Sequence, residues 1–191
     1  MSERAEWDAA AATFDEEADH GLTDPSCRAA WSSLLRAAVP APPGRLVDLG
    51  CGTGSVAELF VEQGHRVTGV DYSEAMVRRA RLKVDRALLL VGNVAAPPLG
   101  DGLFDVVFAR HVLWAMPDPE VSVRAWADLL APGGRLVLVE GRWHTGAGLG
   151  RDECVQLVGG VRRAVSSTML TDPVLWGGPV SDERYLVVSE R

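Results

Sequence analysis

Glycines stand at positions 50, 52 and 54, directly after the apolar run Arg45-Leu-Val-Asp-Leu49 and directly before a helix-forming run at 56–63. Three glycines in five positions suit neither a strand nor a helix, because glycine loses the most conformational freedom on ordering. They suit a turn that needs positive φ, or one where a ligand must come close to the main chain. Strand, glycine turn and helix in that order bring backbone N–H groups against a ligand at a helix N-terminus. The stretch therefore points to an α/β fold and a nucleotide-like ligand.

Strands and helices alternate around this turn. Residues 26–39 place Cys27, Ala30, Trp31, Leu34, Leu35 and Ala38 at helical spacing, and the proline-rich 40–44 stops them. Residues 66–71, 87–91, 104–109 and 135–140 read as four further strands. A helix is predicted over 73–83, with Ser73 as its cap and Glu74 in its first turn. Another should run from Pro117-Asp-Pro119 to residue 130, ended by Ala131-Pro-Gly-Gly134. Strands that are apolar throughout imply a parallel sheet covered on both faces. Residues 5–13 predict a short helix and 15–25 a polar, turn-rich connection. Beyond residue 141 the rhythm breaks. A short helix is expected at 152–158 and strands at 161–169 and 184–189, joined by 171–182 with no helical pattern, which favours antiparallel pairing.

At 191 residues the chain can build one core. We divide a single domain 1–191 into an N-terminal helical lid (1–40), a ligand-binding core (41–140) and a short tail (141–191). The net charge of −7 argues against nucleic acid or an anionic membrane as partner, since both are gripped by clustered Lys and Arg. The densest basic run, Arg78, Arg79, Arg81, Lys83 and Arg86, reads as a solvated helix face. Cys27, Cys51 and Cys154 and the four histidines are scattered, so no metal site or disulfide framework is expected. No signal-peptide pattern or membrane-length apolar run is seen, and the expectation is a cytoplasmic monomer or homodimer.

The ligand class follows from motif comparison. A dinucleotide fingerprint is met only weakly, by counting Gly52, Gly54 and Ala57, and no Lys-Ser/Thr pair follows the glycines as a P-loop requires. Val47-Asp-Leu-Gly-Cys-Gly-Thr-Gly54 instead resembles motif I of the class I S-adenosylmethionine-dependent methyltransferases. Val67-Thr-Gly-Val-Asp-Tyr-Ser73 resembles that family's second strand with its acidic end. Residues 104–113 resemble its fourth strand and the segment after it, and 130–140 its fifth. The resemblance spans 45–140 and implies a Rossmann-like three-layer sandwich. Its mostly parallel seven-stranded sheet would run 3-2-1-4-5-7-6 with strand 7 antiparallel. It also implies an enzyme that uses S-adenosylmethionine, releases S-adenosylhomocysteine, and methylates an O, N or C atom of a small-molecule acceptor by in-line displacement.

The same resemblance assigns roles. Gly50, Cys51, Gly52, Thr53 and Gly54 would meet the methionine part of the cofactor, with Asp48 beside its amino group or simply capping the turn. Asp71 would accept both ribose hydroxyls, and Tyr72 and Ser73 follow it, Tyr72 offering its ring to the adenine. Asn93, followed by Val94, stands where the family commonly has Asp, and would accept through its carbonyl oxygen or donate through its amide. Arg110 and His111 follow strand four, where backbone groups touch the cofactor.

A sulfonium is already an activated methyl donor, so positioning the nucleophile is the main task and a base is optional. His111, His144 and His20 are the acid–base or orienting candidates; each also has a structural reading, as a turn, loop or surface histidine. Trp31 and Trp126 fall on apolar helix faces and read as core. Trp7, Phe14, His20, Trp114, Trp143 and Trp176 are candidates to wall the acceptor pocket. Two rival readings are an NAD(P)-dependent oxidoreductase, disfavoured by the glycine spacing and the missing Tyr-x-x-x-Lys, and a non-catalytic regulatory protein that binds the same cofactor or its product.

Overall fold

The computed structural model describes residues 3–190. The N-terminal segment forms α1 (Glu3–Ala10), a 3-10 turn (Phe14–Glu16), α2 (Ala18–Gly21) and α3 (Pro25–Ala38). The core follows as β1 (Arg45–Leu49), α4 (Ser55–Glu62), β2 (Arg66–Asp71), α5 (Glu74–Lys83), β3 (Leu88–Val91) and β4 (Phe104–Arg110). After a 3-10 turn (Leu113–Ala115) come α6 (Pro119–Asp128), β5 (Leu130–Arg142) and α7 (Arg151–Gly159). The chain then forms β6 (Val165–Met169), a 3-10 turn (Pro173–Trp176) and β7 (Glu183–Glu190).

The sheet order is β3-β2-β1-β4-β5-β7-β6, as the resemblance implies. β1 through β5 pair in parallel; β7 runs antiparallel to both β5 and β6. Successive side chains of a strand point to opposite faces. In β4, Val106 and Phe108 therefore join Trp31, Leu35 and Phe60 of α3 and α4, while Val107 and Ala109 join Trp126, Cys154 and Val158 of α6 and α7. Both faces are dry, which is why the strands read as continuous apolar runs. The strand order reverses between β1 and β4, and the crevice opened there at the strands' carboxyl ends is where such sheets bind ligands. Among the described residues no helix is long and apolar enough to cross a membrane.

Several boundaries differ from expectation. The polar stretch at 15–25 is not a bare connection but carries a 3-10 turn and α2, held by long-range contacts described below. β5 begins at Leu130, well before residue 135, because Leu130 pairs with Phe104 before a shift in register and then Arg135 pairs with Val106. β6 starts at Val165 rather than 161, since Arg162 donates from Nη2 to the Gly134 carbonyl at 2.5 Å and from Nε to Ser189 Oγ at 3.2 Å, anchoring that segment outside the ladder. Asp24 accepts from the N–H groups of Ser26 and Cys27 at 2.9 Å and so starts α3 one residue early, with Pro25 in its first turn.

Phe108 is fully buried and meets Phe60 edge-on at 5.2 Å. Truncation to alanine leaves a cavity between α4 and the sheet. Phe108→Ala is expected to lower unfolding free energy by about 3–5 kcal/mol in urea titrations, with the same sheet-rich fold retained in the circular dichroism spectrum.

Candidate functional site

One cavity of about 700 Å³ opens at the carboxyl ends of β1, β2 and β4, beneath the N-terminal segment. Its nucleotide-like end is built by the glycine turn. Gly50 sits at φ 74° with its N–H donating to the Val70 carbonyl at 2.7 Å, and an added Cβ there would collide with Val112. The N–H of Gly52 donates to Asp71 Oδ2 and that of Ser73 to Asp71 Oδ1, both at 2.8 Å. Each carboxylate oxygen keeps a further lone pair, so Asp71 is held rigid yet able to accept again. Burial pushes its carboxyl upward, and these two N–H groups work against that.

Asp48 ends β1 almost completely buried, and its Oδ2 has no partner. Burial first, then the neighbouring Asp71, push it up to about 7, with Arg110 opposing. Asn93 lines the cavity, but its Oδ1 accepts from the Ala95 N–H at 2.9 Å. That bond takes one lone pair of the carbonyl oxygen and fixes the side chain, leaving a second lone pair and the amide N–H₂ for a ligand. Cys51, Thr53, Tyr72 and Val94 border the cavity. Gly54 and Ser73 do not line it. Gly54, at φ 85°, precedes α4 and backs onto Ala80 and Val84; Ser73 is buried as the cap of α5 and accepts from the Met76 N–H.

The other end is aromatic and cationic. Arg110 pairs with Asp19 of α2 at 2.9 Å and lies 4.3 Å over Trp31. Arg184 approaches the same Asp19 oxygen at 3.6 Å and lies 4.3 Å over Trp176. His111 takes φ 56°, a left-handed conformation uncommon outside glycine and costly to hold. Glu140 fixes the turn after it: its Oε1 accepts from the N–H groups of Val112 at 2.9 Å and Leu113 at 2.7 Å. Burial pushes Glu140 up to about 8 against those same bonds. Both ring nitrogens of His111 are buried without partners. Burial, and then Arg110, Arg184 and His20, hold its pKa well below 6.5, so it is a neutral imidazole. His20 stacks on Phe14 at 4.3 Å, and burial lowers its pKa too. Trp114 donates to the His111 carbonyl at 2.9 Å and meets Trp143 at 5.3 Å.

The cavity thus gathers His20, His111, Trp7, Phe14, Trp114 and Trp143. Two candidates lie elsewhere. His144 is exposed outside the cavity lining, paired with Asp182 at 3.1 Å. Trp176 is packed behind His111 against Trp31, its indole donating to the Leu170 carbonyl at 3.1 Å. His65 packs on Phe60 and does not line the cavity. Sequence reading missed Asp19, Arg184 and Glu140. A signal did exist for Glu140, which is a charged residue at the carboxyl end of an apolar strand, like Asp48, Asp71 and Arg110. Arg184 gave none, because it starts its strand. Only the antiparallel direction of β7 places it opposite Gly141, at the site's edge of the sheet.

The sequence profile of the methyltransferase-domain family matches residues 47–138. The ubiquinone biosynthesis O-methyltransferase of Xanthomonas campestris pv. campestris (strain B100) is 38% identical over 111 residues, covering 54% of this chain and 46% of that protein. The match thus spans about half the length of that curated relative. The methyltransferase solved with the Haloferax volcanii Trm112 methyltransferase activator superposes with a TM-score of 0.75 at 23% identity, over 97% of each chain. The geranyl diphosphate C-methyltransferase of Streptomyces coelicolor A3(2), solved with Mg2+, geranyl-S-thiolodiphosphate and S-adenosyl-L-homocysteine, gives 0.68 at 20% identity, over 85% of this chain and 76% of that one. At these identities the structural likeness is one of fold.

Asp48 makes a pH signature of its own. With its pKa raised from 3.8 to about 7, the folded chain keeps a proton that the unfolded chain has already released. Raising the pH through that window withdraws stability through this group. Asp48→Asn, neutral throughout, is exempt. Its melting temperature relative to the parent is expected to climb between about pH 5 and about pH 8; a constant difference would mean that Asp48 is ionised across the whole range.

Proposed function

Because this chain carries a methyltransferase domain of the class I S-adenosylmethionine-dependent family, we propose that it methylates a nucleophilic oxygen of a small-molecule acceptor. The observation that carries this reading is the pairing of Asp48 and Asp71, buried at the ends of adjacent parallel strands with the glycine turn between them. The residues present fit the cofactor. The free lone pairs of Asp71 suit a ribose diol, and the unpartnered Asp48 oxygen suits the amino group of the methionine part. Tyr72, at the rim, offers an aromatic face, and the Asn93 amide a donor, to the adenine. When bound, that cofactor supplies a methyl group on a cationic sulfur, open to in-line attack with the bond pair leaving on sulfur.

The chain's own part is to bind and orient. Trp7, Phe14, Trp114 and Trp143 make an apolar wall that excludes water and shapes a site for a flat acceptor. His111, neutral and with both nitrogens free, presents one donor and one acceptor to the nucleophile. The N-terminal segment is held beside the cavity: Asp15 accepts from Thr53 and pairs with Lys83 at 2.9 Å, and Asp8 accepts from Ser73 at 2.5 Å. A volume of about 700 Å³, shared by cofactor and acceptor, keeps the acceptor small. The O-methyltransferase relative supports oxygen as the acceptor atom.

The deciding experiment is a scan of small hydroxylated acceptors for formation of S-adenosylhomocysteine. No turnover with any of them, together with unaltered S-adenosylhomocysteine affinity in Asp71→Ala, would sink the reading. Asp71→Ala should weaken that affinity about tenfold or more in calorimetry, since charge-assisted hydrogen bonds are worth about 1.5–3 kcal/mol each. His111→Ala should cut turnover about 10²-fold with cofactor affinity nearly unchanged, the mark of a lost orienting contact. Retained turnover would make His111 structural.

A further inference from the structure

The far end of the cavity holds two buried guanidiniums whose hydrogen-bond donors are not all used. Arg110 and Arg184 border the cavity with side chains only 9% and 14% exposed. They converge on a single carboxylate oxygen, Oδ2 of Asp19, at 2.9 and 3.6 Å. Asp182 meets Arg184 at 3.5 Å, but it lies outside the cavity lining and also accepts from the His144 N–H at 2.8 Å. Around the two guanidiniums stand the shared Asp19, Asp182 behind Arg184 and Asp48 toward Arg110, with neutral His20 and His111 beside them and Glu17 at the solvent-exposed rim; charge is thus met, and it is hydrogen-bond acceptors that are short. The Nε of each arginine is buried without a partner. A guanidinium has five N–H donors and does not lose its charge, and stacking on Trp31 and Trp176 fixes both planes. Buried cations left short of acceptors are expected to meet an anion.

Resting on the methyl-transfer reading above, we infer that the acceptor is an aromatic hydroxyl compound bound as its oxyanion, with Arg184 as the residue that selects it and Arg110 in support. The hydroxyl proton leaves to solvent on binding. The oxyanion's lone pair then forms the new carbon–oxygen bond while the carbon–sulfur pair passes to sulfur, so no base is needed in the transfer itself. This accounts for a site histidine kept neutral: His111 donates its N–H to the oxyanion. The edge-to-face Trp114 and Trp143 pair supplies the wall for the ring.

4-Nitrophenol tests this directly, because its ionised form is coloured and reports its own protonation. Titrated with the whole chain saturated in S-adenosylhomocysteine, its bound pKa is expected to fall by about one unit or more, as a nearby opposite charge dictates. Arg184→Met should return it close to the free value with S-adenosylhomocysteine affinity within about twofold, and Arg184→Lys should keep part of the shift. An unshifted pKa, no binding of 4-nitrophenol, or an Arg184→Met chain that loses affinity for S-adenosylhomocysteine would each overturn the inference. The last would give the arginine to the cofactor. If Arg184→Met does not fold, a full shift persisting in Arg184→Gln overturns it equally. The readout needs no methyl transfer: a shifted pKa in a chain that turns over no acceptor and whose Asp71→Ala variant keeps its S-adenosylhomocysteine affinity would sink the transferase reading and leave the oxyanion site standing.

Discussion

Both faces of the central strands are buried, and the charged side chains that reach the cavity region come from near their carboxyl ends. Asp48, Asp71, Arg110 and Glu140 sit at four such ends, and the cavity is what those ends enclose. The same constraint makes every charge there expensive. Burial raises Asp48 and Glu140 to about 7 and about 8, and keeps His111 neutral. Glu140 holds a turn, Asp71 the glycine loop and Arg110 the N-terminal segment, whereas Asp48 Oδ2 and the His111 nitrogens are left without partners.

Besides the apolar packing of Leu22, Trp31 and Leu35, three aspartates tie the N-terminal segment to the rest of the chain. Asp8 reaches the cap of α5, Asp15 the glycine turn through Thr53 and Lys83, and Asp19 the paired arginines. Each joins the N-terminal segment to a different part of the cavity wall. Exposed ion pairs are worth little. The Asp19–Arg110 pair is largely screened from water, however, and losing either partner would strand a buried charge. The N-terminal segment thus lines the cavity as well as packing on the fold.

The electrostatics divide the cavity. One end carries Asp48 and Asp71 and suits cations and hydroxyl donors; the other carries Arg110 and Arg184 beside Asp19 and suits negative oxygen. A cofactor whose positive sulfur lies toward the middle, and an acceptor that reacts as a nucleophile, match that gradient. The neutral imidazole of His111 lies between the two regimes as a hydrogen-bonding group rather than a charge.

Much of this was legible in the chain itself. Apolar strand runs, the glycine turn, Ser73 as a helix cap and the order of the motifs are local signals, because backbone conformation and side-chain period act over a few residues. They determined the parallel core, the cofactor end and the positions of Asp48, Asp71 and Arg110. The boundaries at 15–25, 130–134 and 161–165 were not legible, since contacts with residues far along the chain set them. The same holds for the site's missing members. Asp19 sits in an unremarkable polar turn, and Arg184 starts a strand; only the antiparallel return of β7 brings that start beside the end of β5. Trp176 and His144 show the converse, as residue types suited to a site that packing places behind it and outside it. The sequence by itself determined the scaffold and the glycine turn at the cavity's edge, because those rest on local periodicity and turn chemistry. Only the tertiary structure decided the acceptor end, because its charges meet through the direction of a strand and the closure of a lid.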